Sequence, residues 1–171
     1  SYDRVPYSSW PYANSHPNRL ATIGRLMGIE TPALDRMRVL ELGCASAGNL
    51  IPMAESFPDA TFVGIDASPK QIEQGRQRIK SLGLSNITLQ SGFLEQAQTP
   101  EEPFDYIITH GVYSWVPPDT QQAILRISHD WLAQNGVAYV SYNTNPGWKM
   151  RGMIRDMLTY HCKAFEQPEQ R

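Results

Sequence analysis

The sequence predicts an α/β fold, a Rossmann-like doubly wound sheet of mostly parallel strands. Three observations predict it. Short apolar runs alternate with helical patterns, the runs are apolar almost without interruption, and a Gly-rich turn follows the first of them. Near-continuous apolar strands are buried on both faces, which goes with parallel pairing and helices on either side.

Leu20, Ile23 and Met27 recur at helical spacing and mark a first helix that closes near Gly28. Arg38–Leu42 reads as the first strand, running straight into the Gly-rich turn. Residues 61–65 form a second strand ended by Asp66, and residues 86–89 a third. Phe104–Thr109 is the fourth and residues 137–141 the fifth. Between the second and third, Ser68 caps a helix with Pro69 at its first position and Gln71 reaching back. Ile72, Ile79 and Leu82 supply its apolar face and Gly83 stops it. After Pro117-Pro118, Asp119 or Thr120 caps a helix on which Ile124, Ile127, Trp131 and Leu132 keep the 3.6 period as far as Gly136. Strand and helix thus alternate five times. A last helical pattern over residues 148–165 puts Ile154, Met157 and Leu158 on one face, and its stripe of Met150, Met153 and Met157 reads as packing. A helix after a fifth strand normally leads to another strand, so the expectation is a stretch of a longer chain.

Composition narrows the function classes. The chain has 171 residues, 41% of them apolar and 19% charged, enough to bury a core. Fifteen Lys and Arg against 17 Asp and Glu give a net charge of -2, which argues against loose phosphate-backbone binding; no nucleic-acid partner is expected. No run approaches the roughly 18 apolar residues of a membrane span. Cys44 and Cys162 cannot make a disulfide framework, so a reducing, cytoplasmic setting is the default. His16 and His161-Cys162 lack the spacing of a zinc set, and no metal is expected.

The richest stretch is Val39-Leu40-Glu41-Leu42-Gly43-Cys44-Ala45-Ser46-Ala47-Gly48. Small residues after a first strand let backbone approach a ligand, ahead of a helix N-terminus. Asp66 lies 23 positions after Gly43, where a carboxylate accepts both hydroxyls of a ribose. The pair points to an adenosine-type ligand. A nucleotide-binding P-loop fails, because Asn49-Leu50 follow Gly48 where Lys and Ser/Thr are needed. A dinucleotide turn fits with Ala45 in its middle, yet Glu41 would lie beside a negative pyrophosphate. S-adenosylmethionine (SAM), with a cationic amine and a sulfonium, reverses that sign. Glu41 welcomes SAM and opposes NAD, although a capping role for it stays open.

Glu41-Leu42-Gly43-Cys44-Ala45-Ser46-Ala47-Gly48 followed by Gly64-Ile65-Asp66 resembles motifs I and II of class I SAM-dependent methyltransferases. Further stretches resemble, more narrowly, the bacterial methyltransferases that carry a C-terminal methyltransferase regulatory domain. These are Val5-Pro6-Tyr7, the run from His16 to Thr22, the run from Gly48 to Ala54, His110-Gly111-Val112-Tyr113-Ser114-Trp115-Val116-Pro117, and the run from Ser141 to Trp148. The resemblance covers residues 2–161. It implies SAM-dependent methyl transfer to a protein or small-molecule acceptor, two further strands and a regulatory domain. Some relatives methylate lysines of outer-membrane proteins, which makes protein lysine a candidate acceptor. The residues expected on the cofactor are Glu41, Gly43, Cys44, Ala45, Gly48, Asn49, Asp66, Ala67, Ser68, Gly92, Phe93 and His110. Cys44 also reads as a small packing residue in the turn, in preference to a nucleophile.

Two departures from the family pattern carry expectations. Ala45 and Ala47 stand where glycine is common, so either the cofactor rides slightly higher or the turn keeps φ negative. Phe93 stands near the usual acidic reader of adenine. Adenine would instead meet a backbone N–H and the Phe93 ring, with Gly92 permitting close approach.

Methyl transfer from a sulfonium needs mainly positioning and exclusion of water, plus a base when the nucleophile arrives protonated. The loops after the fourth and fifth strands supply His110, Tyr113, Trp115 and Tyr142. His110 is the candidate base, or a structural loop histidine. Tyr113, Trp115 and Tyr142 suit an alkylammonium by cation-π attraction, with core packing the alternative for Trp115. The usual Asn/Asp-Pro-Pro-Tyr/Phe of adenine and glutamine methylation is absent after the fourth strand. The aromatic leader, with Tyr2, Tyr7, Trp10 and Tyr12, reads as a lid with Tyr7 and Trp10 facing SAM, or as packing on the sheet edge. Residues 1–30 are then a lid and helix segment, and residues 31–171 a SAM-binding core. An NAD(P)-dependent oxidoreductase and a non-catalytic SAM-binding module remain the competing readings, the former weakened by Glu41 and by the lack of a Tyr-x3-Lys pair. A fifth strand left at the sheet edge invites pairing with another chain.

Overall fold

In the computed structural model, residues 9–163 are described. The five predicted strands are β1 (Arg38–Leu42), β2 (Thr61–Asp66), β3 (Ile87–Ser91), β4 (Phe104–Thr109) and β5 (Leu132–Val140). They form one all-parallel sheet in the order β3-β2-β1-β4-β5. The chain steps outward from β1 to β3, then returns to the far side of β1. That reversal opens a crevice above the carboxyl ends of β1 and β4, where ligands bind in such sheets.

Helices α1 (Pro17–Leu26), α2 (Leu50–Ser56), α3 (Pro69–Leu82), α4 (Pro118–Asp130) and α5 (Lys149–Cys162) complete the described chain. Strand alternation sorts the core into two clusters, one on each face. Val39, Phe62, Leu89, Tyr106 and Ile108 pack with Leu20 of α1, Leu50 of α2 and Ile72 of α3. Leu40, Leu42, Ile65 and Ile107 pack with Ile124 and Ile127 of α4 and with Trp131. The same two-residue period carries Glu41 onward from Val39, His110 from Tyr106 and Ile108, and Tyr139 from Val137. All three therefore lie toward the first face. The sequence places them there before any contact forms.

Ser68 caps α3 by accepting the Gln71 N–H at 3.2 Å, with Pro69 opening the helix and Gly83 closing it, as the local sequence predicts. Elsewhere the structure corrects the reading. The link between β3 and β4 holds a single 3-10 turn, Leu94–Gln96, rather than a helix. The following Ala97-Gln98-Thr99-Pro100-Glu101-Glu102-Pro103 has two prolines and no apolar period. Helix α4 ends at Asp130, not Gly136, because Leu132 pairs with Phe104 and the Trp131 carbonyl accepts the Phe104 N–H. A register shift between Phe104 and Tyr106, with Asn135 at φ 64°, absorbs the extra residues of β5. In α1 the buried face is Leu20, Ala21 and Gly24, while Ile23 and Met27 are exposed. Leu82 at the end of α3 is also exposed. Met150, Met153, Ile154, Met157 and Leu158 are exposed as well, so no described element packs on that face of α5. No described helix is long and apolar enough to cross a membrane.

One side chain ties the far end of the sheet together. Asn86 Nδ2 donates to the carbonyls of Ala54, Phe57 and Ala60 at 2.9–3.1 Å, joining the end of α2 to the start of β3. Removing it leaves those carbonyls to find other donors. Asn86→Ala is expected to lower the unfolding free energy by about 1–3 kcal/mol, read from urea denaturation at unchanged slope.

Candidate functional site

The turn after β1 is held from below. The N–H groups of Gly43 and Cys44 both reach the Ile65 carbonyl, at 2.8 and 3.2 Å. Gly43, Ala45 and Ala47 then all take left-handed backbone, at φ 74°, 50° and 59°. The expectation of negative φ at the alanines is therefore corrected. Alanine carries only a methyl into this region, at a cost of roughly 1–2 kcal/mol per residue. The cost is held in place by anchors: the Ala45 N–H donates to Asp66 Oδ2 at 2.8 Å, and both methyls are buried.

Gly48 is approached closely, but by the chain itself. Its N–H donates to Ser9 Oγ at 3.0 Å, and a Cβ there would lie 2.1 Å from the Ser9 carbonyl oxygen. The donor that a dinucleotide turn would aim at pyrophosphate is thus committed to residue 9. Cys44 is buried, its Sγ close enough to β2 that a Cβ on Gly64 would sit 2.7 Å away. Burial, with Glu41 and Asp66 adding, pushes its thiol well up. Of its two readings, this supports the packing role over a nucleophile.

Glu41 is the electrostatic centre. Its side chain is buried, Oε1 accepts Asn49 Nδ2 at 2.8 Å, and Oε2 has no partner among the described residues. Burial pushes its carboxyl up to about 8, with the Asn49 hydrogen bond opposing and the Asp66 carboxylate adding. Asp66, half-buried at the end of β2, accepts the Ala45 N–H on Oδ2 and the Ser68 N–H on Oδ1, each at 2.8 Å. Each oxygen keeps a second lone pair. Ala67 is exposed beside it, while the Ser68 hydroxyl is engaged in capping α3. At the end of β3, the Gly92 N–H donates to the Asp66 carbonyl at 3.0 Å. Space above Gly92 is open and Phe93 is 60% exposed, forming a rim next to Asp66.

Asn49 was expected on the cofactor; the structure commits its amide to the protein instead. The side chain is 1% exposed. Its Oδ1 accepts the Tyr12 N–H at 2.9 Å, and Nδ2 donates to Ser15 Oγ at 3.1 Å as well as to Glu41. Residues 9–15 are thereby seated over the turn. Tyr12, rather than Trp10, meets the site, for Trp10 is 65% exposed. Tyr2 and Tyr7 lie outside the described residues.

The three residues expected to act on the acceptor separate into three aromatic groups. His110 lies between Tyr12, ring centroids 3.8 Å apart and stacked, and Tyr139, at 5.9 Å. Its Nδ1 is 3.2 Å from the Tyr139 hydroxyl. Burial pushes its pKa down, so the ring is neutral near pH 7. Tyr113, in a 3-10 turn Tyr113–Trp115, meets Tyr142 edge-on at 6.2 Å. Trp115 meets Trp148 edge-on at 5.6 Å and is exposed, which sets aside core packing for it. The loops carrying them are cross-tied: Gly111 N–H donates to Ser141 Oγ at 2.7 Å and Asn143 N–H to Ser114 Oγ at 2.8 Å. Sequence reasoning missed Ser9, Ser15 and Tyr139. Only Tyr139 had a signal, two residues beyond Val137 on a strand whose alternation points it toward His110.

The chain was compared with known proteins. A family model described as a methyltransferase domain matches residues 40–138. RP789, an uncharacterized protein of Rickettsia prowazekii, is 46% identical over 164 residues, 96% of this chain and 30% of that protein. RP028 of the same organism is 39% identical over 165 residues, 96% of this chain and 66% of that protein. The solved structure of PKMT2 from Rickettsia typhi in complex with AdoHcy matches with a TM-score of 0.86 at 39% identity, over 92% of this chain and 31% of that one. The chain spans about a third of the length of RP789 and of PKMT2.

The buried carboxyl generates a pH test. Because the folded state holds the Glu41 proton up to about pH 8 and the unfolded state releases it near 4.5, the stability it contributes is full below 4.5 and lost as pH rises through about 8. Urea unfolding of wild type and Glu41→Gln at pH 5 and pH 8 is expected to show the wild type losing ground to the variant at the higher pH. An equal difference at both pH values would contradict it.

Proposed function

The chain belongs to the family of methyltransferase domains, and on that footing we propose that it binds SAM and transfers the methyl group to an amine. Glu41 carries the reading. A buried carboxyl whose Oε2 has no partner among the described residues, at the turn above β1, can ionise there only beside a donor carrying positive charge. The ammonium of SAM supplies both; a pyrophosphate supplies neither and repels. Asp66 retains lone pairs for two ribose hydroxyls, and the open space over Gly92 beside Phe93 accepts a flat base. The AdoHcy in the PKMT2 structure, at 39% identity, supports this choice of ligand. In this reading residues 31–171 are the SAM-binding core and residues 1–30 a lid and helix over it.

When bound, SAM supplies a methyl group already activated by the sulfonium. The chain's own groups then have two tasks, orientation and proton removal. His110 is held by stacking on Tyr12 and by the Tyr139 hydroxyl at Nδ1, and its Nε2 has no hydrogen-bond partner among the described residues. If Nδ1–H donates to Tyr139, the Nε2 lone pair accepts the proton that an incoming ammonium must shed before it is a nucleophile. Tyr113 and Tyr142 offer aromatic faces for the alkyl cation, with Trp115 beside Trp148 at the rim. The acceptor best suited to these groups is a protein lysine, which the resemblance to outer-membrane-protein lysine methyltransferases also implies.

Calorimetric titration with SAM, S-adenosylhomocysteine and NAD tests the cofactor. Both sulfur nucleosides are expected to bind, with affinity falling tenfold or more, about 1.4 kcal/mol, in Asp66→Ala. Binding of NAD alone would overturn the proposal.

A further inference from the structure

We propose that Asn49 is a positioning residue that couples two events, docking of a cationic amine on Glu41 and seating of residues 9–15 above the Gly-rich turn. The inference rests on the SAM reading. Its basis is that every hydrogen-bonding group of one buried amide is committed in a fixed order. Oδ1 takes the Tyr12 N–H at 2.9 Å, and the two Nδ2 hydrogens go to Ser15 Oγ at 3.1 Å and Glu41 Oε1 at 2.8 Å. Turning the amide over would set its NH2 against the Tyr12 N–H and, once Glu41 is ionised, its oxygen against a carboxylate. Two satisfied contacts would become two mismatches. The orientation that serves Glu41 is therefore the one that holds residues 12–15.

An amine at Glu41 Oε2 acts on this amide through the carboxylate. Ionised Glu41 is the stronger acceptor, so the Nδ2–H···Oε1 bond becomes charge-assisted, roughly twice as strong as its neutral counterpart. That locks the amide plane, and with it the bonds to Tyr12 and Ser15. The same segment is pinned at Gly48, where only a glycine admits the Ser9 carbonyl, and the Tyr12 ring lies 3.8 Å from His110. Amine binding thus orders the stack that orients His110. The ligand has the differential interaction that a conformational shift requires. The proton acceptor is held most firmly in its working orientation when the donor's amino acid is in place.

The test compares two ligands that share a nucleoside and differ in the amino acid. S-adenosylhomocysteine carries the ammonium; 5′-methylthioadenosine lacks it. Hydrogen exchange of the Tyr12 and Gly48 amides is followed in wild type and Asn49→Ala, with Ser15→Ala as a milder variant. In wild type, S-adenosylhomocysteine is expected to slow Tyr12 exchange about tenfold, the scale of one strengthened hydrogen bond, while bound 5′-methylthioadenosine leaves it unchanged. Asn49→Ala is expected to abolish that slowing without weakening 5′-methylthioadenosine binding, and Ser15→Ala to reduce it. Equal slowing by both ligands, or full slowing in either variant, would overturn the coupling while leaving SAM binding intact. Failure of wild type to bind either nucleoside would overturn both.

Discussion

A carboxylate buried beneath the Gly-rich turn is the constraint on which this site depends. Strand alternation sets Glu41 inward on the same face as Val39, where a leucine would pack without cost. Instead a group that prefers water is enclosed, with one oxygen on Asn49 and the other unpartnered. Such an arrangement is destabilising while the group is ionised; it is offset in the free protein by holding the proton, and in a complex by a donor carrying positive charge. The proposed choice of a cationic ligand thus rests on a residue of β1 itself.

The rest of the site is arranged around that requirement. Asp66 organises the turn through the Ala45 and Ser68 N–H groups while keeping acceptor capacity. Residues 9–15 cover the turn where a phosphate would otherwise approach, so the backbone donor at Gly48 is no longer offered to an anion. His110 inherits its position from the β4 alternation and its neutrality from burial. Tyr12 and Tyr139, more than 120 residues apart, meet it from two sides. Glu41 and His110 are linked through Asn49 and Tyr12.

Much of this was legible in the sequence, and the exceptions have physical causes. The β1 and β4 strands and the capped start of α3 follow from periodicity and local hydrogen bonding, which act over a few residues. Glu41 and Asp66 stood out because charge beside a small-residue turn is locally unusual. The extent of β5 was misread because its first residues are recruited by pairing with β4, across a register shift that no local pattern encodes. The roles of Ser9, Ser15 and Asn49 arise from contacts 34 to 39 residues apart and leave no spacing signal. The left-handed alanines were misjudged for a related reason: the Asp66 anchor that sustains Ala45 lies on the neighbouring strand. On α5, helical periodicity marked an apolar face correctly but said nothing of what covers it.

If Glu41 meets the cation of its ligand, the most direct measurement counts protons. With its carboxyl held up to about 8, Glu41 is protonated in the free protein at pH 6.5; an ammonium on Oε2 drives the proton off. Calorimetry of S-adenosylhomocysteine binding at that pH, in buffers of different ionisation enthalpy, should show release of about one proton per ligand bound. The release should vanish in Glu41→Gln. Binding without proton release, or release that persists in Glu41→Gln, would contradict the account.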